Sequence, residues 1–227
     1  MIRFYFHTSP NPMKVALFLE ESGLPYELVP VDTLKGEQHA PEFLALNPNA
    51  KVPVITDGDA TVFDSNAILL YLADKTGRFA GRPERRGDLL SWLMFVATGV
   101  GPYSGQAVHF QRFAPEQLPY AVNRYVKEAE RHYGILDQRL ADGRPFVLGD
   151  EYTIVDMAAW GWVNALPFVL GPDGSAAYPN LKRWHEAVSA RPAAARAQAL
   201  KEGLKLKTEF DEEARRAMFP QNVAAAA

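Results

Sequence analysis

Residues 47–66 read Asn47-Pro48-Asn49-Ala50-Lys51-Val52-Pro53-Val54-Ile55-Thr56-Asp57-Gly58-Asp59-Ala60-Thr61-Val62-Phe63-Asp64-Ser65-Asn66. Asn-Pro-Asn breaks whatever precedes it, and Val52-Pro53-Val54-Ile55 reads as a strand that opens on a proline. Asp57-Gly58 is a hairpin signal, so Thr61-Val62-Phe63 should pair back on the first strand. Ser65 then stands as the cap of a helix whose Ile68, Tyr71 and Leu72 share one face. A strand hairpin running straight into an amphipathic helix is half of a small mixed α/β domain.

The other half lies upstream. Ile2-Arg3-Phe4-Tyr5-Phe6 is a short β-rich run, and His7-Thr8-Ser9-Pro10-Asn11-Pro12 is a turn. Val15, Phe18 and Leu19 mark one face of a helix, with Asn11 expected as its cap, Pro12 at its first position, and Gly23 and Pro25 ending it. Tyr26–Val31 reads as a second strand, and Pro41–Leu46 as a short helix. The order β-α-β, linking helix, β-β-α implies a crossover unit with a terminal hairpin.

Downstream, 79–87 is polar and broken by glycine and proline, so it reads as a linker between a domain at 1–78 and an all-helical domain at 88–215. Helices are expected at 88–112, 116–141, 154–166 and 179–190, with a shorter run after Pro192. Thr153-Ile154-Val155-Asp156 is a variant capping box, with Tyr152 and Met157 placed for a hydrophobic staple. Its helix is apolar almost all round and should be buried, which makes Trp160 and Trp162 structural. The tail, 216–227, is expected to be a trailing helix or coil with frayed ends.

Composition limits the chemistry. With 48% hydrophobic and 22% charged residues, the 227-residue chain resembles a well-buried globular protein. Its 24 basic and 27 acidic residues leave a net charge of −3, with no sequence-wide footprint for nucleic acid. No apolar run is long enough for a membrane span, and MIRFYFHTSP lacks the apolar core of a signal peptide, so a cytoplasmic enzyme is expected. The five histidines show no ligand spacing, and no metal site is expected. There are no cysteines, which excludes disulfides, thiolate metal sites and a cysteine nucleophile. Any thiol chemistry must use a thiol carried by a ligand.

Two places suit a polar ligand. At Asp64-Ser65 a helix N-terminus favours a carboxylate and the aspartate favours an ammonium, so together they suit an amino-acid zwitterion such as a γ-glutamyl end. The alternative is a plain cap beside a solvated acid. Val52-Pro53 is either an ordinary edge proline or a cis bond turning the Val52 backbone groups outward.

The turn Thr8-Ser9-Pro10-Asn11-Pro12, the run Asn47 to Pro53, Asp64-Ser65-Asn66-Ala67-Ile68-Leu69-Leu70-Tyr71-Leu72 and Tyr152 to Ala158 occur in order and together resemble the glutathione transferase family over residues 1–200. Gly36-Glu37-Gln38-His39-Ala40-Pro41-Glu42-Phe43, Ser9-Pro10-Asn11 and Gly101-Pro102 with Gly105-Gln106 resemble its bacterial Nu-class branch. That branch is similar to the yeast nitrogen-regulator prion protein and to disulfide-bond reductases.

The resemblance implies a thioredoxin-like first domain, a helical second domain that shapes an apolar site, glutathione as co-substrate, no covalently bound cofactor, and a homodimer. It implies that Asp64 and Ser65 hold the γ-glutamyl end and that the Val52 backbone, with Pro53 in cis, holds the cysteinyl unit. Gln38 and Lys51 would face the glycyl carboxylate, and Arg131 would reach the site from a partner subunit. The family's catalytic tyrosine or cysteine is missing from the first turn, where Thr8, Ser9 and Asn11 stand. Hydrogen bonds of about 1 kcal/mol each from Ser9, Asn11 or Thr8 would lower a thiol pKa by somewhat under one unit apiece. Tyr103, His109 and Phe110, with Trp92 and Phe95, are candidates for the apolar pocket, though Trp92 and Phe95 equally suit helix packing. The expected reactions are thiolate attack on an electrophile and glutathione-dependent reduction of a disulfide or peroxide. A non-catalytic glutathione-binding or regulatory module on the same fold is the rival.

Overall fold

The computed structural model describes residues 1–223. Strands β1 (Ile2–Phe6), β2 (Tyr26–Pro30), β3 (Val54–Asp57) and β4 (Ala60–Phe63) form one sheet in the order β2-β1-β3-β4. β2 runs parallel to β1 after a crossover through α1 (Pro10–Ser22), while β3 and β4 are antiparallel additions. Asp57 pairs with Ala60, so the hairpin loop has two residues, and Gly58 opens it at φ 61° where a side chain would be strained. β3 starts two residues later than the sequence suggests. Val52-Pro53 is a cis peptide bond outside the ladder, where proline's missing N–H costs nothing.

Both helix starts in this domain differ from expectation. Asp64, at φ 68°, caps α3 (Ser65–Thr76): its Oδ1 accepts the N–H groups of Asn66 at 2.8 Å and Ala67 at 3.2 Å. Ser65 is therefore the first helical residue, and its hydroxyl is left for other work. Likewise α1 begins at Pro10 with Ser9 at the cap position, and Asn11 lies inside the first turn. Proline at the first position takes the place of a donor that would be orphaned anyway.

After α2 (Pro41–Leu46) and the loop that follows α3, every further regular element of the described chain is a helix. α4 (Arg86–Phe95) and α5 (Gly101–Val108) were expected as one rod but are joined by a wide turn at Val96–Val100, and a second wide turn spans His109–Phe113. Pro102 cannot donate to Thr98, and the helix widens there, with the Gly101 N–H reaching back to Val96 O. α6 (Pro119–Arg139) follows. The expected 154–166 helix divides into α7 (Ile154–Val163) and α8 (Leu166–Leu170), and α9 (Pro179–Ser189) and α10 (Pro192–Ala199) complete the bundle.

The tail is more ordered than its composition suggests. Asp211 caps α11 (Glu212–Met218) by accepting the Ala214 N–H at 2.8 Å, and α12 (Pro220–Val223) follows. Ala224–Ala227, expected to fray, lie outside the described residues.

α1 joins the two halves. One side packs on α3, the other on α7 and α10. Gly161 permits the close approach: a β-carbon there would lie 2.5 Å from Pro10 O and 2.7 Å from Lys14 Cγ. The capping box of α7 forms as read, and Asp156 extends it. Its Oδ2 accepts the Thr153 N–H at 3.0 Å, and its Oδ1 accepts Val147 N–H at 2.9 Å and Trp184 Nε1 at 3.0 Å.

Candidate active site

Register brings the sequence motifs together. Val54 pairs with Phe63 and with Tyr5, so the residues just beyond them, Val52-Pro53, Asp64-Ser65 and the turn after Phe6, gather at one end of the sheet. Asn47 sets the shape of the loop leading there. It is buried, its Nδ2 donates to Lys51 O at 2.7 Å and its Oδ1 accepts Asn49 N–H at 3.0 Å. The sequence reading took this asparagine only for a breaker.

A cleft of about 800 Å³ opens at this end. Ser9, Asn11, Gln38, His39, Lys51 and Val52 line the first-domain wall, Gln106, His109 and Phe110 the helical wall, and Met218 and Phe219 of the tail the rim. Asp64 and Ser65 stand at the adjoining corner, outside this lining. Lys51 has no carboxylate within ion-pair distance among the described residues.

The first turn is built for donation. Ser9 makes no side-chain cap bond, so its hydroxyl is not spent on α1. Asn11 Oδ1 accepts Trp162 Nε1 at 3.1 Å, which pins the amide and leaves its NH₂ group as the end available to a ligand. Trp162, read as structural, thus also orients a residue of the cleft wall. Pro10 and Pro12 carry no N–H and the Met13 N–H goes to Ser9 O, so within the opening of α1 itself Asn11 is the residue left with a backbone N–H to donate.

Three expected site residues are elsewhere. Thr8 is exposed and faces a separate hollow with His7, Leu34, Lys201 and Lys207, because the turn points successive side chains to opposite sides. Tyr103 stacks on His132 at 5.1 Å between ring centroids and neighbours Tyr125. It sits seven residues, about 10 Å of helix, below Phe110, and α6 covers it. Phe110 also stacks on Tyr125, at 5.3 Å, but lies high enough to reach the cleft. Arg131 is on α6, outside the cleft, and pairs with Glu128. Trp92 and Phe95 are used in helix packing: their rings meet each other, and Phe95 meets His132.

Two features escaped the sequence reading. Lys14 is buried under the Asp64-Ser65 corner, its Nζ 3.3 Å from Ser65 Oγ and 3.5 Å from Asn66 Oδ1. Burial pulls its ammonium down to about 7, with Asp64 opposing. The tail also reaches the cleft. Gln38 Nε2 and His39 Nε2 both donate to Ala217 O, and Phe219 packs on His109 at 4.7 Å.

Residues 1–74 match the family model of the glutathione S-transferase N-terminal domain, and residues 119–187 that of the C-terminal domain. The chain belongs to the glutathione S-transferase family. It is 44% identical over 205 residues to the disulfide-bond oxidoreductase YfcG of Escherichia coli, covering 87% of this chain and 94% of that one. Among solved structures, it is similar to a glutathione transferase family member from Pseudomonas fluorescens with two glutathione bound. There the identity is 38% and the TM-score 0.82, over 87% of this chain and 92% of that one. A Pseudomonas putida glutathione transferase with one glutathione disulfide bound per subunit gives 34% identity and a TM-score of 0.82, over 88% and 91% of the two chains. The branch expected from the motifs agrees with these relatives, and the two-part transferase fold is the one expected.

Proposed function

We propose that this protein is a glutathione transferase whose principal reaction is glutathione-dependent disulfide reduction. The observation that carries this reading is the first turn, where Ser9 and the pinned Asn11 offer neutral donors to the cleft with no cysteine or tyrosine beside them. Such donors stabilise a thiolate modestly. Disulfide exchange suits a thiol whose pKa stays near ambient pH, because nucleophilicity falls as pKa falls.

Since the chain has no cysteine, both reducing equivalents come from glutathione. One glutathione thiolate attacks a disulfide sulfur, forming a mixed disulfide and expelling one thiolate. A second glutathione attacks the mixed disulfide, giving glutathione disulfide and the second thiol. Two glutathiones and one disulfide thus yield one glutathione disulfide and two thiols. A peroxide would be reduced to an alcohol and water by the same two equivalents. The cleft volume lies at the upper end of the usual range for small-molecule sites, which suits two thiol ligands together.

In this reading Val52 and Pro53 border the cysteinyl unit, Asp64 and Ser65 take the γ-glutamyl end, and Lys51 supplies charge for the glycyl carboxylate. His109 and Phe110 wall the second substrate. A homodimer, with Arg131 serving a partner's cleft, belongs to the same reading, as does a cytoplasmic location, where glutathione is kept reduced.

The test is glutathione-dependent reduction of a small disulfide, run beside conjugation to a chloronitrobenzene. Disulfide reduction should dominate, and Ser9→Ala and Asn11→Ala should each lower it about tenfold, roughly 1.4 kcal/mol of barrier. Conjugation without measurable disulfide reduction would overturn the reductase assignment.

A further inference from the structure

Lys14 is 1% exposed, between α1, α3 and α7, and no carboxylate lies within ion-pair distance of it among the described residues. A buried ammonium with only neutral acceptors is costly, and here it also stands beside the positive end of α3. Asp64 already caps α3 and opposes the burial of Lys14 from beyond ion-pair range, but no carboxylate contacts the ammonium itself, and that gap points to an anion that arrives from outside.

The hydrogen bonds say where it would sit. An ammonium can only donate, so Ser65 Oγ must accept from Lys14, which turns the single hydroxyl hydrogen of Ser65 away from it. Asn66 is oriented by the same rule. Its Oδ1 accepts from Lys14 and its Nδ2 donates to Asp64 Oδ1 at 3.2 Å. One chain of bonds therefore runs from the buried cation to the hydroxyl and to the acid read as holding the two charges of a zwitterion.

We propose that Lys14 is a positioning residue for the γ-glutamyl carboxylate of glutathione, fixing the Ser65 hydroxyl as an outward donor and supplying the compensating positive charge from beneath. The inference rests on the reading that glutathione occupies this corner. It also makes binding proton-linked. With its ammonium near 7 in the empty protein, Lys14 is partly neutral above that pH, and a carboxylate docking on Ser65 restores the charge.

Few other groups face Lys14. From α3 it sees Asp64, Ser65 and Asn66, and from α7 the backbone at Gly161. The sole acid of α7, Asp156, is held by Val147, Thr153 and Trp184. On the α10 side, Arg191 and Arg196 pair with Glu21 and Glu20, which lie at the far end of α1.

The experiment is calorimetric titration with S-methylglutathione, whose blocked thiol cannot contribute its own ionisation, from pH 6 to 8 in buffers of different ionisation enthalpy. The wild-type protein should take up protons on binding, and its affinity should fall about fivefold across this range if the ligand raises the Lys14 pKa by about one unit. Lys14→Met should bind more weakly at pH 6, with no proton uptake. Ser65→Ala, which leaves the cation in place, should also lose most of the uptake and serves if the first variant does not fold. Wild-type binding without proton uptake, or unchanged affinity and pH profile in Lys14→Met, would overturn the inference. No binding of S-methylglutathione or glutathione by the wild type would overturn the underlying reading instead.

Discussion

Gln38 Nε2 donates to the carbonyl of Ala217 at 3.1 Å, across 179 positions of sequence, and its other hydrogen goes to Thr33 O at 3.3 Å. Both partners are carbonyls, so the amide can face only one way. Gln38 Oε1 is left buried without a partner among the described residues. While the tail is docked, Gln38 thus has an acceptor to offer a ligand and no donor, whereas a glycyl carboxylate needs donors.

Glutathione binding should therefore loosen the tail. If Gln38 turns its NH₂ to the carboxylate, the bond to Ala217 is lost, at about 1 kcal/mol or roughly fivefold in the local opening equilibrium. Amide exchange over residues 212–222 should rise when glutathione is added. Gln38→Glu, which sets a carboxylate against two carbonyls, should give the same rise without ligand. Unchanged or stronger protection of the tail in the presence of glutathione would mean that Gln38 keeps its grip and the carboxylate binds elsewhere.

The Asn11–Trp162 bond gives a second handle, because it lets the helical domain set the orientation of a first-domain amide. Trp162→Phe keeps an aromatic ring in place but removes the N–H. The Asn11 amide should then sample orientations that point its oxygen at the thiolate. Turnover should fall about fivefold, close to one hydrogen bond of barrier, with little change in glutathione affinity. Single-turnover kinetics and calorimetry separate the two. An unchanged rate would show that Asn11 does not need the pin.

How much of this was legible in the sequence depends on the range of the interaction. The hairpin and the capping box carry local signals within a few residues, and both appear where they were read; at Val52-Pro53 the residues left trans and cis open, and only the family resemblance implied the cis bond that is present. Lys14 carried none. Its burial depends on Gly161, more than a hundred residues away, and on the hydroxyl and amide of α3. The one available clue was its place four residues before Phe18, on the buried face of α1. Tyr103 failed for a related reason. Helical spacing puts it on the face of Phe110, but only the position of α6 shows that this face is covered before it reaches the cleft. The tail looked featureless because its partners, Gln38, His39 and His109, lie in distant segments.

Asp156 carries more stability than the cap it belongs to. It is fully buried and accepts the N–H groups of Val147 and Thr153, the Trp184 indole and the Thr153 hydroxyl. Asp156→Ala leaves several of these donors buried without an acceptor, which should cost about 3–5 kcal/mol. Thr153→Ala loses a single cap, about 1 kcal/mol. Denaturant unfolding should rank the two in that order, while glutathione affinity of the folded fraction stays near wild type. Equal losses would show that the Val147 and Trp184 bonds contribute little.

Lys14 should also be visible in the stability of the unliganded protein, with a definite sign. Its folded value, about 7, lies below its ordinary value of 10.5, with burial as the main cause. Between those two pH values the unfolded chain binds the proton that the folded protein lacks. Stability therefore rises with pH through this window, and the full cost of the buried cation is felt below pH 7. Half-buried His7, His109 and His185, also held below their ordinary value by desolvation, add an upward slope below that value, but they are common to wild type and variant and cancel in a comparison. Lys14→Met should be more stable than wild type at pH 6, and its advantage should shrink by pH 9. Chemical denaturation at both pH values measures the gap directly. A variant less stable than wild type at pH 6, or a gap that does not change with pH, would mean that the ammonium is compensated in the empty protein and has no need of an incoming carboxylate.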